Sequence, residues 1–211
     1  MVFSTWLLFI AVGVIAVISP GPAILLSISN SIRFGMRKVA LSSFGNICGL
    51  FLLSSAAIFG LGAVLKTSTI LFLVIKLIGA AYLIYLGVRQ WRSKTNFFGE
   101  VDAKSTGREK SKKRFFLEGF LIAMTNPKAI LFFTALFPQF IDTQQSLTPQ
   151  FLIMTATFMS MSFLTLASYG LLATKASSWF SIGQRAKWFN RILGGLFAMI
   201  GVGLLRLKLD H

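Results

Sequence analysis

Two short words in the sequence carry groups that could hold a solute: Ser19-Pro20-Gly21-Pro22 and Asn126-Pro127-Lys128. Each proline removes an amide donor and clashes with the carbonyl four residues back. Pro20 and Pro22 therefore free the carbonyls of Ala16 and Ile18, and Pro127 frees that of Ala123. Lys128 adds a cation beside the second set of freed acceptors. An ammonium in an apolar setting needs a partner, and the freed carbonyls, Asn126, Asn46 or a bound anion could serve. A substrate carboxylate fits that role; a lysine capped by backbone carbonyls alone is the structural alternative.

Other chemistries are excluded by what the chain lacks. One cysteine, Cys48, rules out an internal disulfide or a dithiol relay. One histidine, His211, leaves no histidine-based metal site and no triad. The apolar runs hold no acid, base or metal-ligand set, so an enzyme is not expected, and neither is a metal or other cofactor.

These words must be positioned by membrane helices. The chain has 211 residues, of which 55% are hydrophobic and only 13% charged, with a mean hydropathy of +0.75. A soluble protein has about twice that share of charge. A span needs about 20 mostly apolar residues, and six runs qualify, at roughly 3–28, 41–64, 70–88, 115–137, 151–173 and 189–205. The sixth is the shortest and spans only if Trp188 and Phe189 form an interfacial end. The first run has no basic residue before Arg33, is too long for a signal-peptide core and is followed by no small-residue cleavage site, so it is expected to be retained. Lys128 lies 13 steps beyond Phe115, about 20 Å along a helix, where an ammonium costs about 2.5–3.5 kcal/mol and turns toward the bundle interior.

Sixteen of the 21 Lys and Arg residues fall in the loops after the first, third and fifth runs, and four on the opposite side. Cytoplasmic loops carry such an excess, which predicts a multi-pass protein with both termini outside. The net charge of +15 is thereby a topology signal and not a nucleic-acid signal. Residues 93–114 are polar and basic and read as a cytoplasmic linker that divides one transporter domain into halves at about 1–92 and 115–211. Its Arg108 to Arg114 stretch could also meet anionic lipid.

The halves resemble each other. A shift of 106 residues places Gly13 on Gly119, Ser19 on Thr125 and Ala23-Ile24-Leu25 on Ala129-Ile130-Leu131. A shift of 115 places Lys76, Gly79, Ala80 and Tyr82 on Arg191, Gly194, Gly195 and Phe197. Three helices is an odd number, so the copies run in opposite senses. The expected fold is all-α: six transmembrane helices as two inverted three-helix repeats. Paired breaks in corresponding helices point to a transport site. Its residues would be Ser19, Pro20, Gly21, Pro22, Ala23, Asn126, Pro127 and Lys128, with Asn46 as a polar wall. The amides of Ala23 and Ile24 and the Lys128 ammonium would hold a carboxylate, and the freed carbonyls an amino group. Gly45 and Gly49 form a small-x-x-x-small pair that permits close helix packing or a homodimer. Cys48, Tyr82 and Tyr85 read as packing residues.

The motifs together resemble the LysE/RhtB amino-acid exporter family. They are Ser19-Pro20-Gly21-Pro22, Arg33-Phe34-Gly35, the Gly79 to Gly87 stretch, Thr125-Asn126-Pro127-Lys128-Ala129 and Leu136-Phe137-Pro138-Gln139-Phe140. The likeness covers the whole chain in order and is closest to the homoserine, homoserine lactone and threonine branch. It implies a secondary exporter of small neutral amino acids in the bacterial cytoplasmic (inner) membrane, coupled to the proton-motive force. The family is related to cation carriers, whose ligands this chain lacks. For proton coupling the sequence offers Glu118, ahead of Asp142. A related cation carrier, or an assembly or signalling protein acting through the basic linker, is the alternative.

Overall fold

The computed structural model describes residues 2–67, 111–142 and 144–175, with isolated positions between 74 and 92 and between 188 and 202. The third and sixth expected spans and residues 93–110 fall almost wholly outside the described residues.

The first apolar run is two helices, α1 (Phe3–Ile18) and α2 (Pro22–Phe34), bent by 56° at the proline word. Pro22 takes the first position of α2, where its missing N–H would have been unpaired anyway. Gly35 then turns the chain with φ +79°, a left-handed conformation that favours glycine, and α3 (Met36–Thr67) runs back. The fourth run starts earlier than the sequence pattern implied. Ser111 caps α4 (Lys112–Thr125), so Lys112 to Arg114 form its first turn. Asn126 breaks that helix, and α5 (Pro127–Leu131), a π-helical segment (Phe132–Leu136) and a 3-10 turn (Phe137–Phe140) follow at a bend of 51°. Finally α6 (Leu147–Lys175) follows as one unbroken helix.

Two of these helices are long and apolar enough to cross a membrane, and each bent pair is long enough to cross as one broken span. Without water in the hydrocarbon, association depends on close packing and hydrogen bonds more than on apolar burial. The α3–α4 seam follows that rule. A Cβ on Gly45 would fall on the Phe116 carbonyl, and one on Gly119 would fall on the Ser42 carbonyl. At Gly49 it would lie 2.7 Å from the Ala123 methyl. The Gly45/Gly49 face therefore packs against α4 of the same chain, the close helix packing that the sequence pattern permitted.

Contact registers fix the directions. Trp6 donates to Thr157 and Tyr169 to the Ile18 carbonyl, so α1 and α6 run the same way. Ser162 bonds Asn46 and the rings of Phe51 and Phe151 meet, so α3 runs against α6. Gly45 meets Phe116 while Gly49 meets Ala123, so α3 and α4 run together. The two broken spans thus pass each other in opposite senses.

The two ends of this bundle differ chemically. Arg33, Arg37, Lys38, Lys112, Lys113, Arg114 and Lys175 all lie at helix ends that meet where Phe34 packs on Phe115. Toward the other end Phe9, buried completely, meets the rings of Phe132, Phe137, Phe140 and Phe158 at 5.3–6.4 Å. Each such pair is worth about 0.5–1.5 kcal/mol beyond simple burial, so this end is the more tightly closed.

Candidate functional site

The breaks come together at one point. Lys128 donates from Nζ to the Ser19 carbonyl at 2.7 Å, joining the second break to the end of α1. The C-terminus of a helix carries partial negative charge, so the ammonium suits that carbonyl. Its side chain runs beside Gly21, where a Cβ would sit 3.5 Å from Nζ. An ammonium has three donors, and Ser19 takes one. Among the described residues no carboxylate lies within ion-pairing distance of Lys128; Glu118 pairs instead with Arg114 at 3.3 Å.

Beside this contact lies a small, partly open cavity. Gly21, Ala23, Asn46, Asn126 and Lys128 line it, as the sequence pattern implied. Pro20, Pro22 and Pro127 do not: they shape the bends, and Pro22 and Pro127 are exposed. Ser19 contributes its carbonyl, and Glu118 is not among the lining residues. Ile24 at the start of α2 also faces the cavity, where the first amides of a helix have no partner within it. Among the described residues Lys128 is the one charged residue in the lining.

Asn126 has a task the sequence did not reveal. It ends α4 and caps α5, its Oδ1 accepting from the Lys128 amide at 3.1 Å. That bond fixes the backbone from which the lysine projects. The freed carbonyls are also partly engaged. The Tyr169 hydroxyl donates to Ile18 at 2.8 Å, and the Asn126 amide donates to Ala123 at 3.4 Å. Of the three carbonyls expected to receive an amino group, Ala16 is the one that also lines the cavity.

Sequence reasoning missed Tyr169, Ser162, Phe132 and Phe158. Ser162 donates to Asn46 Oδ1 at 3.3 Å and orients that amide. Phe132 and Phe158, with ring centres 4.4 Å apart, form the floor toward the aromatic end. A hydroxyl in an otherwise apolar run was the available signal for Tyr169 and Ser162. Their partners depend on helix rotation, which short apolar words do not encode.

A membrane protein whose two oppositely directed broken helices meet at an inner cavity, with a lysine that no side-chain carboxylate among the described residues neutralises, has the build of a solute translocator. The chain belongs to the LysE family: the family's model, described as a LysE type translocator, matches residues 14–208. It is a transporter and not an enzyme. It is 33% identical over 201 residues to a homoserine/homoserine lactone efflux protein of Salmonella typhi, covering 95% of this chain and 96% of the relative. The protein of the same name in Salmonella typhimurium is 32% identical over the same length and with the same coverage. An uncharacterized membrane protein of Vibrio cholerae is 33% identical over 209 residues, 97% of each chain. No solved structure matches.

Proposed function

We propose that this protein exports small neutral amino acids of the homoserine or threonine kind from the bacterial cytoplasm, driven by the proton-motive force. The observation that carries the reading is Lys128, half-buried at the junction of both breaks, with two donors left after Ser19. The substrate carboxylate binds those donors and the open amides of Ala23 and Ile24. Its ammonium goes to the Ala16 carbonyl and to Asn46. Phe132, Phe158, Leu50 and Leu166 surround the side chain and favour a small one. A basic amino acid would bring a second cation to a lining that holds no acid, and an acidic one a second anion to a single lysine. The neutral zwitterion matches the charge present.

Transport proceeds by alternating access of two inverted three-helix halves about this midplane site, with the basic end cytoplasmic and both termini outside. The relatives named for homoserine and homoserine lactone efflux support the substrate class. The test is uptake of labelled homoserine, threonine, leucine and lysine into inside-out vesicles, with and without an imposed proton gradient. Gradient-dependent accumulation of homoserine or threonine, with lysine excluded, is expected. Accumulation of lysine, or of none of the four, would overturn the substrate assignment, and uptake indifferent to the gradient would overturn proton coupling.

A further inference from the structure

A second feature adjoins the cavity and, Asn46 apart, is not used by the site just described. Ser27, Asn30 and Ser31 on α2 and Ser42, Ser43 and Asn46 on α3 are all at least nine-tenths buried, and they run from the cavity toward the basic end. Most are bonded. Ser27 and Ser31 each donate at 2.6 Å to a backbone carbonyl of α6, at Leu166 and Gly170, and Asn30 donates to Ser42 at 3.1 Å. The Ser43 hydroxyl, 1% exposed, has no partner among the described residues, a condition it shares with the Thr155 hydroxyl on the far side of the cavity. An unpaired buried hydroxyl costs about 1–3 kcal/mol, so its presence calls for an explanation.

Ser43 borders a narrow crevice, too tight to hold a water, which also touches Ser27 and Ser42. That space shares Ala23, Asn46 and Leu166 with the substrate cavity, so the two adjoin. On the opposite side of the cavity, among the described residues, the Phe132–Phe158 pair and the rings behind it predominate, with Gln150 and Thr155 as the buried polar side chains on α6 there. Small hydroxyl and amide side chains inside a membrane protein commonly bond across helices, and one left unpaired among them is free to bond a polar solute, which lipid cannot do.

We infer that the seam around Ser43 is the passage by which a small zwitterionic amino acid reaches the cavity from the basic end, closed by packing in this conformation, a proposal that rests on the exporter reading above. When α2 moves away from α3, the Ser43 and Ser42 hydroxyls and the Asn30 amide face the passage and replace part of the solute's hydration. The seam between α3 and α4, with its backbones in contact, stays fixed and forms the opposite wall.

The test is one-sided labelling of the full-length protein in vesicles of known orientation. Cys48 is first replaced by serine, which leaves no cysteine. Ser43→Cys, nearly isosteric, is then treated with a charged, membrane-impermeant thiosulfonate. Ala23→Cys, where the two spaces meet, is the second reporter, Lys113→Cys marks the basic side and Ser54→Cys is the buried reference. Reaction at Ser43→Cys from the basic side only, at least about tenfold faster than at Ser54→Cys, is expected, since a thiol in dry packing stays protonated and inert. Failure of both Ser43→Cys and Ala23→Cys to react from that side, or reaction from the other side alone, would overturn the passage. Homoserine uptake by the wild type is measured in parallel. Labelling without homoserine uptake sinks the substrate assignment and keeps the passage; uptake without labelling does the reverse.

Discussion

At the first break the chain leaves α1 at Ser19, passes an extended Gly21 and begins α2 at Pro22; at the second, Asn126 alone ends α4 and starts α5 at Pro127. Both following helices thus begin with proline. The capping residue is a bare glycine in one and a bonded asparagine in the other. The next position is Ala23 in one and Lys128 in the other, and both line the cavity. The first break leaves room and open amides, while the second supplies a charge and fixes its direction. Their junction is the Lys128–Ser19 bond. Under the proposed function the two bends take complementary tasks, one as receptor and one as cation.

The sharpest way to break that comparison is to remove the charge. Lys128→Met is expected to lower apparent homoserine affinity at least about thirtyfold, since truncating one partner of a desolvated charge pair costs roughly 2–5 kcal/mol. The protein should remain folded in the membrane, as judged by its elution as a single species in detergent. Ala23→Ser, at the matched position of the first break, should change affinity by less than about threefold. Next, Asn126→Ala removes the cap of α5 and costs about 1 kcal/mol of stability. Because it also loosens the lysine, transport should fall further than melting temperature does, a difference visible when both are measured on one preparation. Tyr169→Phe removes the hydroxyl bond to Ile18. A loss of about 1 kcal/mol or less is expected, a drop of roughly 2–4 °C in melting temperature. The smallest effect belongs to Gly21→Ala. Gly21 is extended, and an added methyl meets Lys128 Nζ at an ordinary 3.5 Å. Transport should stay within about twofold of wild type, whereas a large loss would mean that the substrate passes directly over Gly21.

The elements that could be read in the sequence were those set by covalent chemistry. Proline has no amide hydrogen wherever it sits, so both bends were legible at Pro22 and Pro127. The repeated words were legible too, although with a small offset. The capping residues and first-position prolines coincide at a shift of 105, Gly21 to Asn126 and Pro22 to Pro127, whereas the word Ala-Ile-Leu coincides at 106. The closeness of Gly45 and Gly49 to a neighbouring helix was legible, but not that the neighbour is α4. Helix rotation decides such partners, as it does the pairing of Asn46 with Ser162 and of Tyr169 with Ile18. The role of Asn126 was hidden for another reason. In an apolar run an asparagine reads as a solute contact, and only the dihedral angles around it reveal a cap.

The central claim is that Lys128 holds the substrate carboxylate. It is tested most directly by calorimetric binding of homoserine and of 3-amino-1-propanol, which is homoserine without its carboxylate, to wild type and Lys128→Met. The account predicts that the substitution weakens homoserine at least about thirtyfold and leaves the weak binding of the amine unchanged. Equal loss for both ligands, or no loss for homoserine, would contradict it and leave Lys128 as the cap of α1.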